Sequence, residues 1–313
     1  MSLDLRNGRL ERWERVMKRQ ARLSMSIVFL LVGAILIRAT HPTAPPIPRH
    51  VPGAPASEIR TRVAAAYGHL PLYFEANQGQ TDSQVKFLAR GIGHTLFLTD
   101  REVVLVFTQT DPPAKRTPEH RALTMELVLR MTFVSANPAS RVTGLEQLPG
   151  KANYFIGRDP TQWHTNVLLY AKVQYRNVYP GIDLSCSGDQ RQLQYHFVVA
   201  PGGDPKRIVL GWQGVDSLDV DAHGDLVLHT PWGAVRQMRP VIYQELDGAR
   251  REIAGGYVRA GGHQAGFELA AYDASQPLII AGAVPFDVLP PTGAATTVAG
   301  TFYPTQSPIS SPR

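Results

Sequence analysis

From Leu70 to about Ile280 the chain is a succession of short runs rich in β-branched and aromatic residues. Turn chemistry closes each run, and no stretch sustains helical periodicity over an ordinary helix length. The runs are Thr95–Thr99, Val103–Thr108, Leu123–Val134, Val167–Tyr175, Gln192–Ala200, Arg207–Gln213, Leu226–Thr230, Val235–Tyr243, Gly256–Ala260 and Gly266–Tyr272. Gln192–Val199 alternates clearly, with Leu193, Tyr195 and Phe197 on one side. Turns fall at Leu98–Arg101, Ala222–Asp225 and Leu246–Ala249. The pattern predicts a mainly β fold, antiparallel and β-sandwich-like, in one or two lobes. A subdivision is expected near residue 160, with the weakly periodic Gly144–Thr165 crossing from one sheet to the other. No repeat of solenoid or propeller period is present.

The N-terminal part is different in kind. Leu23–Ile37 carries no charge, and residues 1–22 carry seven positive and three negative side chains, a net +4. An apolar segment with a basic flank enters the membrane with that flank inside. Residues after Ile37 are therefore expected outside the bacterial cytoplasmic membrane, with residues 1–22 as a cytoplasmic tail. Fifteen residues make about 22 Å of helix, between a signal-peptide core and a full span. No small-residue cleavage site follows closely, which favours an uncleaved membrane helix at residues 23–38; the alternative is a cleaved signal and a secreted protein. Six prolines between Pro42 and Pro55 make residues 39–56 a semi-rigid spacer. Ser57–Tyr67 reads as a short helix with Ser57 as its cap and Gly68 at its end. Residues 284–313, rich in Pro, Ser and Thr, read as a disordered tail.

The chain has a net charge of +6, so residues 39–313 keep only +1 once the tail and Arg38 are set aside. That balance gives no basic surface for nucleic acid. Cys186 is the sole cysteine, which excludes an internal disulfide and a Cys-based zinc framework.

Several blocks carry a resemblance: Leu72–Gly91 (LYFEANQGQTDSQVKFLARG), Leu148–Gly157 (LPGKANYFIG), Trp163–Asp183, Gln190–Pro205, Gly224–Leu228 and Arg239–Gln244. In this order they resemble an uncharacterised β-rich N-terminal domain of bacterial surface and secreted proteins. That domain usually precedes SBBP-type β-propeller repeats. The resemblance covers about residues 70–283 and implies an extracytoplasmic module of no established activity, with no catalytic residues to transfer. The chain departs from the pattern at Ser185-Cys186-Ser187, where the family has apolar residues. It also departs in its anchor and in the low-complexity tail that stands where repeats would follow.

Few constellations carry chemistry. Asp219, Asp221 and Asp225 have the alternating spacing of a calcium loop, but His223 and Thr230 stand where further oxygen ligands belong, so a hairpin turn is expected. His94, His164, His196 and His263 form no ligand pair at helical spacing. Cys186 has no adjacent base and reads as a structural thiol. Asn77, Gln78 and Gln80 read as turn amides, with glycan or peptide binding as the alternative. Trp163, Trp212 and Trp232 read as core, with a carbohydrate-stacking face as the alternative. No catalytic residue, cofactor or metal site is assigned. The expected function is a non-catalytic binding or structural module, tethered to the membrane, with an envelope protein or glycan as partner. The alternatives are an envelope hydrolase pairing carboxylates such as Glu75, Asp183 or Glu245, and a calcium-stabilised adhesion domain.

Overall fold

The computed structural model describes residues 70–91, 93–110 and 124–288. The expected membrane helix, proline spacer, Ser57–Tyr67 helix and most of the C-terminal tail lie outside the described residues. Among the described residues no helix is long and apolar enough to cross a membrane.

The strands in chain order are β1 (Phe74–Ala76), β2 (Val85–Gly91), β3 (His94–Thr99), β4 (Glu102–Thr110), β5 (Thr124–Phe133) and β6 (Arg141–Tyr154). Then come β7 (His164–Tyr179), β8 (Ile182–Asp189), β9 (Gln192–Val199), β10 (Leu210–Gln213), β11 (Ser217–Val220) and β12 (Leu226–Thr230). The last are β13 (Gly233–Gln237), β14 (Val241–Leu246), β15 (Ala249–Glu252), β16 (Gly255–Gly261), β17 (Gln264–Leu269) and β18 (Leu278–Pro285). The helical elements among the described residues are two 3-10 turns, Pro160–Gln162 and Pro205–Arg207. The fold is mainly β and antiparallel, as the run pattern predicts.

One long sheet runs β15-β14-β18-β9-β8-β7-β1-β2-β3-β4-β5-β10-β17-β16, with β6 paired to β7. Only Ile253 and Ala254 separate β15, at one end, from β16, at the other. The two ends therefore lie side by side, and the sheet curls until it nearly meets itself. Such closure hides edges that would otherwise recruit other chains. A second sheet, β11-β12-β13, turns Leu218, Leu228 and Val235 towards the interior, in register with one another.

One apolar core draws on both halves of the chain, from Leu72 to Phe286. The sheet also passes residue 160 without a break, because β7 pairs with β1 as well as with β8. β9 shows the physics most simply: Leu193, Tyr195, Phe197 and Val199 are buried, whereas Gln194 and His196 are half-exposed. Burying such side chains, each contributing about 1.5–3 kcal/mol, holds the curled sheet together.

The structure corrects the reading of Gly144–Thr165 as an irregular crossing. Most of it belongs to β6 and to the loop that returns into β7. β6 pairs with β7 alone and is wet on both faces, so its sequence has no reason to alternate. The run Val235–Tyr243 is two strands, β13 and β14, interrupted before Val241 at Pro240, which has no N–H to give a ladder. Likewise, Arg207–Gln213 begins as a 3-10 turn and becomes strand only at Leu210.

Candidate functional site

The densest chemistry outside the apolar core is built on β1. Phe74 turns inward, so the strand pleat turns Glu75 to the opposite face. Glu75 stands opposite Leu88 of β2, and Arg90 lies two residues further along the same face. Arg90 Nη1 reaches Glu75 Oε1 at 3.0 Å and Oε2 at 3.2 Å. The third member is Tyr154, the last residue of β6. Its hydroxyl donates to Glu75 Oε2 and accepts from Arg90 Nη1, and the guanidinium carbon lies 4.9 Å from the centre of its ring.

Glu75 is only 3% exposed. Burial pushes its carboxyl pKa up, and the charge and hydrogen bond of Arg90 pull it only part of the way back. Burial lowers the Arg90 pKa in the same way, against the pull of Glu75. Tyr73 is raised first by burial and then by the Glu75 charge. The three groups satisfy one another, so the cluster works as a polar lock between β1, β2 and the end of β6.

Where β6 leaves this lock the chain turns outward. Phe155, directly after Tyr154, is 62% exposed, and Trp163, directly before β7, is 36% exposed. Their rings meet edge to face, with centroids 5.2 Å apart and planes at 87°. The loop between them is internally tied. Asp159 Oδ1 accepts from the Thr161 N–H at 3.0 Å and from its hydroxyl at 2.7 Å. Those bonds, the hydroxyl's first, hold the Asp159 carboxyl below its ordinary pKa. Trp163 Nε1 donates to the Gly157 carbonyl at 3.3 Å. His164 sits so close to Gly79 that a Cβ there would lie 2.9 Å from the imidazole Cε1. The Asn77–Gln84 turn therefore flanks the aromatic pair.

The amides of that turn hold backbone, as expected. Asn77 Nδ2 donates to the carbonyls of Asp82 and Val85 at 2.7 and 2.8 Å, and its Oδ1 accepts from Gly79 N–H at 3.0 Å. Gln80 donates to Ala76 O and accepts from Gln78 N–H at 2.7 and 2.6 Å.

The three carboxylates considered for hydrolysis do not converge. Glu75 pairs across β1–β7 with Leu169, whereas Asp183 lies on β8 one position beyond the Tyr175–Leu184 pair. Seven residues of β7 separate the two levels, roughly 23 Å of strand. Glycoside chemistry needs carboxyls about 5–10 Å apart. Asp183 instead accepts from the Asn177 N–H at 2.6 Å and from Gln174 Nε2 at 3.4 Å. Glu245 is exposed on β14, opposite Arg250 of β15.

The Asp219–Asp225 segment is the turn between β11 and β12. Asp221 Oδ1 accepts from the N–H groups of His223 and Asp225 at 2.8 and 3.1 Å. Arg236 bonds to Oδ2 of both Asp221 and Asp225, while Asp219 faces Arg259 at 3.3 Å. A guanidinium thus fills the place between the carboxylates. Among the described residues no three His, Cys, Asp or Glu side chains gather as a metal site. His94 stacks on Phe286 with centroids 3.9 Å apart, and His196 is half-buried, which lowers its pKa. Cys186 is fully buried and its thiol is pushed up to about 12, far from a reactive thiolate.

The tryptophans divide. Trp212 is core, Trp232 packs against the core, and Trp163 is presented to solvent. The sequence reading passed over Arg90, Tyr154 and Phe155. The pairing of β6 with β7, which brings Tyr154 to Glu75, leaves no periodic trace in a strand wet on both faces.

Residues 74–281 match the family model described as Domain of unknown function (DUF7948). No curated protein and no solved structure matches the chain.

Proposed function

We propose, for a chain that belongs to the DUF7948 family of domains of unknown function, that it is a non-catalytic binding module of the bacterial envelope. In this reading residues 23–37 anchor the chain in the cytoplasmic membrane and the proline spacer holds the β domain outside it. The domain is then the module that precedes SBBP-type propellers in bacterial surface and secreted proteins, here tethered to a membrane. The observation that carries the binding role is the Phe155–Trp163 pair: two large rings exposed on a loop whose own hydrogen bonds fix it. Rigid exposed aromatics are what interface hot spots are made of, since they bury much area at little entropic cost.

A protein partner fits this surface better than a glycan. The Trp163 Nε1 donor is already spent on Gly157, the two rings are packed edge to face against each other, and the neighbouring Ile156 is apolar and 38% exposed. The test is photo-crosslinking from a benzoyl-phenylalanine placed at Phe155 in the full chain within its native envelope. A discrete protein adduct that a Trp163→Ala change abolishes supports the reading. A glycan adduct reassigns the partner class. The reading fails if labelling from Phe155 does not exceed labelling from Met238, which is still more exposed.

A further inference from the structure

The lock at Glu75 and the aromatic loop are joined by one residue. Of the fourteen residues of β6 only Tyr154 is buried. The β6–β7 ladder slips register twice on the way to it, between Gln147 and Lys151 and again between Ala152 and Tyr154. Such slips leave ladder positions unpaired, so the backbone alone holds the end of β6 loosely. What holds it is the Tyr154 side chain, which donates to Glu75 Oε2 and accepts from Arg90 Nη1. Tyr154 pairs with His164 on the last rung of the ladder. Phe155 directly follows Tyr154, and Trp163 directly precedes His164.

The loop between the two rings is tied to itself. Trp163 gives its N–H to the Pro160 carbonyl at 3.2 Å and its Nε1–H to Gly157, and Asp159 holds Thr161. The loop is therefore one body, and the Tyr154–His164 rung sets how that body sits on the domain.

We propose, resting on the reading of Phe155 and Trp163 as a binding surface, that Glu75, Arg90 and Tyr154 position that surface and that a proton on Glu75 releases it. An ionised carboxylate only accepts hydrogen bonds. Glu75 accepts from a phenol and from a guanidinium, and bonds to a charged group are the strong ones. A proton turns one of its oxygens into a donor and removes the charge that draws Arg90. Glu75 and Tyr154 then both present a hydroxyl, and the grip on the end of β6 weakens. Glu75 is faced by Arg90 from β2, by Tyr154 from β6 and by Tyr73 from the chain leading into β1, while β7 sets the uncharged Leu169 opposite it. His164, at the other root of the loop, is the competing titratable group. Burial already holds the Glu75 carboxyl above its ordinary pKa, which puts release in mild acid.

The test uses the full chain in detergent with para-fluorophenylalanine at Phe155, read by fluorine NMR. The resonance is expected to move reversibly as the pH falls from about 7 to about 5, with the strand signal unchanged. That titration needs no variant to fold. Tyr154→Phe keeps the ring beside Arg90 and loses only the hydroxyl. Its resonance should stand near the acid position already at neutral pH and should no longer titrate. Glu75→Gln, neutral and of the same shape, should do the same. A resonance that ignores Tyr154→Phe overturns the proposal, as does a transition that survives Glu75→Gln and disappears in His164→Gln. So does a transition that coincides with loss of the strand signal. Where the Phe155 crosslink forms, it should be lost over the pH range in which the resonance moves, and equal yields on both sides overturn the release. If no adduct forms at any pH, the binding reading fails, while the resonance, which needs no partner, still decides how the loop is positioned.

Discussion

Tyr195 and Tyr257 share a hydrogen bond of 2.8 Å between their hydroxyls in the buried interior, linking β9 to β16. The two strands are distant along the sheet and meet only because it curls round. Gly282 of β18 makes the space: a Cβ there would stand 2.4 Å from the Tyr195 hydroxyl. Burial raises both phenols above their ordinary pKa.

Tyr257→Phe should therefore cost about 1–3 kcal/mol, because it strands a buried hydroxyl on Tyr195. Removing both hydroxyls should cost less than the sum of the single changes, since no polar atom is then left alone. A double-mutant cycle in urea measures the difference. Simple additivity would show that the two groups act separately.

Glu75 and Arg90 should behave as a pair whose desolvation is only just offset. Arg90→Met leaves a buried carboxylate without its guanidinium and should cost about 3–5 kcal/mol at neutral pH. The sign of the pH effect follows from the shift. Loss of Arg90 raises the folded-state pKa of Glu75 further, so the native state holds more protons than the unfolded state. The variant should then regain stability as the pH falls from 7 towards 5. Denaturant midpoints at several pH values test this, and a deficit that stayed constant would count against it.

At high pH the unaltered protein should weaken. Cys186 and Tyr179 each rise to about 12 on burial. Above the ordinary thiol range the unfolded chain loses protons that the native chain keeps, so the contribution of these two groups is constant below about pH 8 and is lost from there towards pH 12. Native Cys186 should resist alkylation at pH 8 and react fully only in denaturant. Stoichiometric labelling of the folded chain would contradict its burial.

The sequence disclosed strands where one face is dry. In β9 each buried residue answers to the core, and the alternation is written in Leu193, Tyr195 and Phe197. β6 stayed hidden because water bathes both its faces, and β1 because three residues are too few to show a period. The lock at Glu75 was half legible. Glu75 was named as a candidate carboxylate, but its partner Arg90 is fifteen residues away and Tyr154 seventy-nine, and only the pairing of β1 with β2 and of β6 with β7 brings them together. The exposure of Trp163 follows from its place in a loop outside the curled sheet, which a tryptophan's composition does not reveal.

Asp183 offers the sharpest separation between a structural and a chemical role. Asn177 takes a left-handed backbone, φ 54°, where the β7–β8 register slips between Tyr175 and Tyr179. Its N–H donates to Asp183 Oδ1 at 2.6 Å, and its own Oδ1 accepts from Gly181 N–H at 3.2 Å. Asparagine tolerates that backbone better than other residues with a Cβ. Asn177→Val should cost about 1–2 kcal/mol or more, since a β-branched residue fits the left-handed region poorly. Asn177→Gly should cost less, because it keeps the backbone and loses only the side-chain bond to Gly181. Asp183→Ala should destabilise by about 1 kcal/mol through loss of the bond from the exposed Asn177 N–H, and should leave crosslinking from Phe155 unchanged. Thermal melts and the Phe155 crosslink, measured on the same variants, decide the matter. A normal melt with lost crosslinking would make Asp183 part of the binding surface instead.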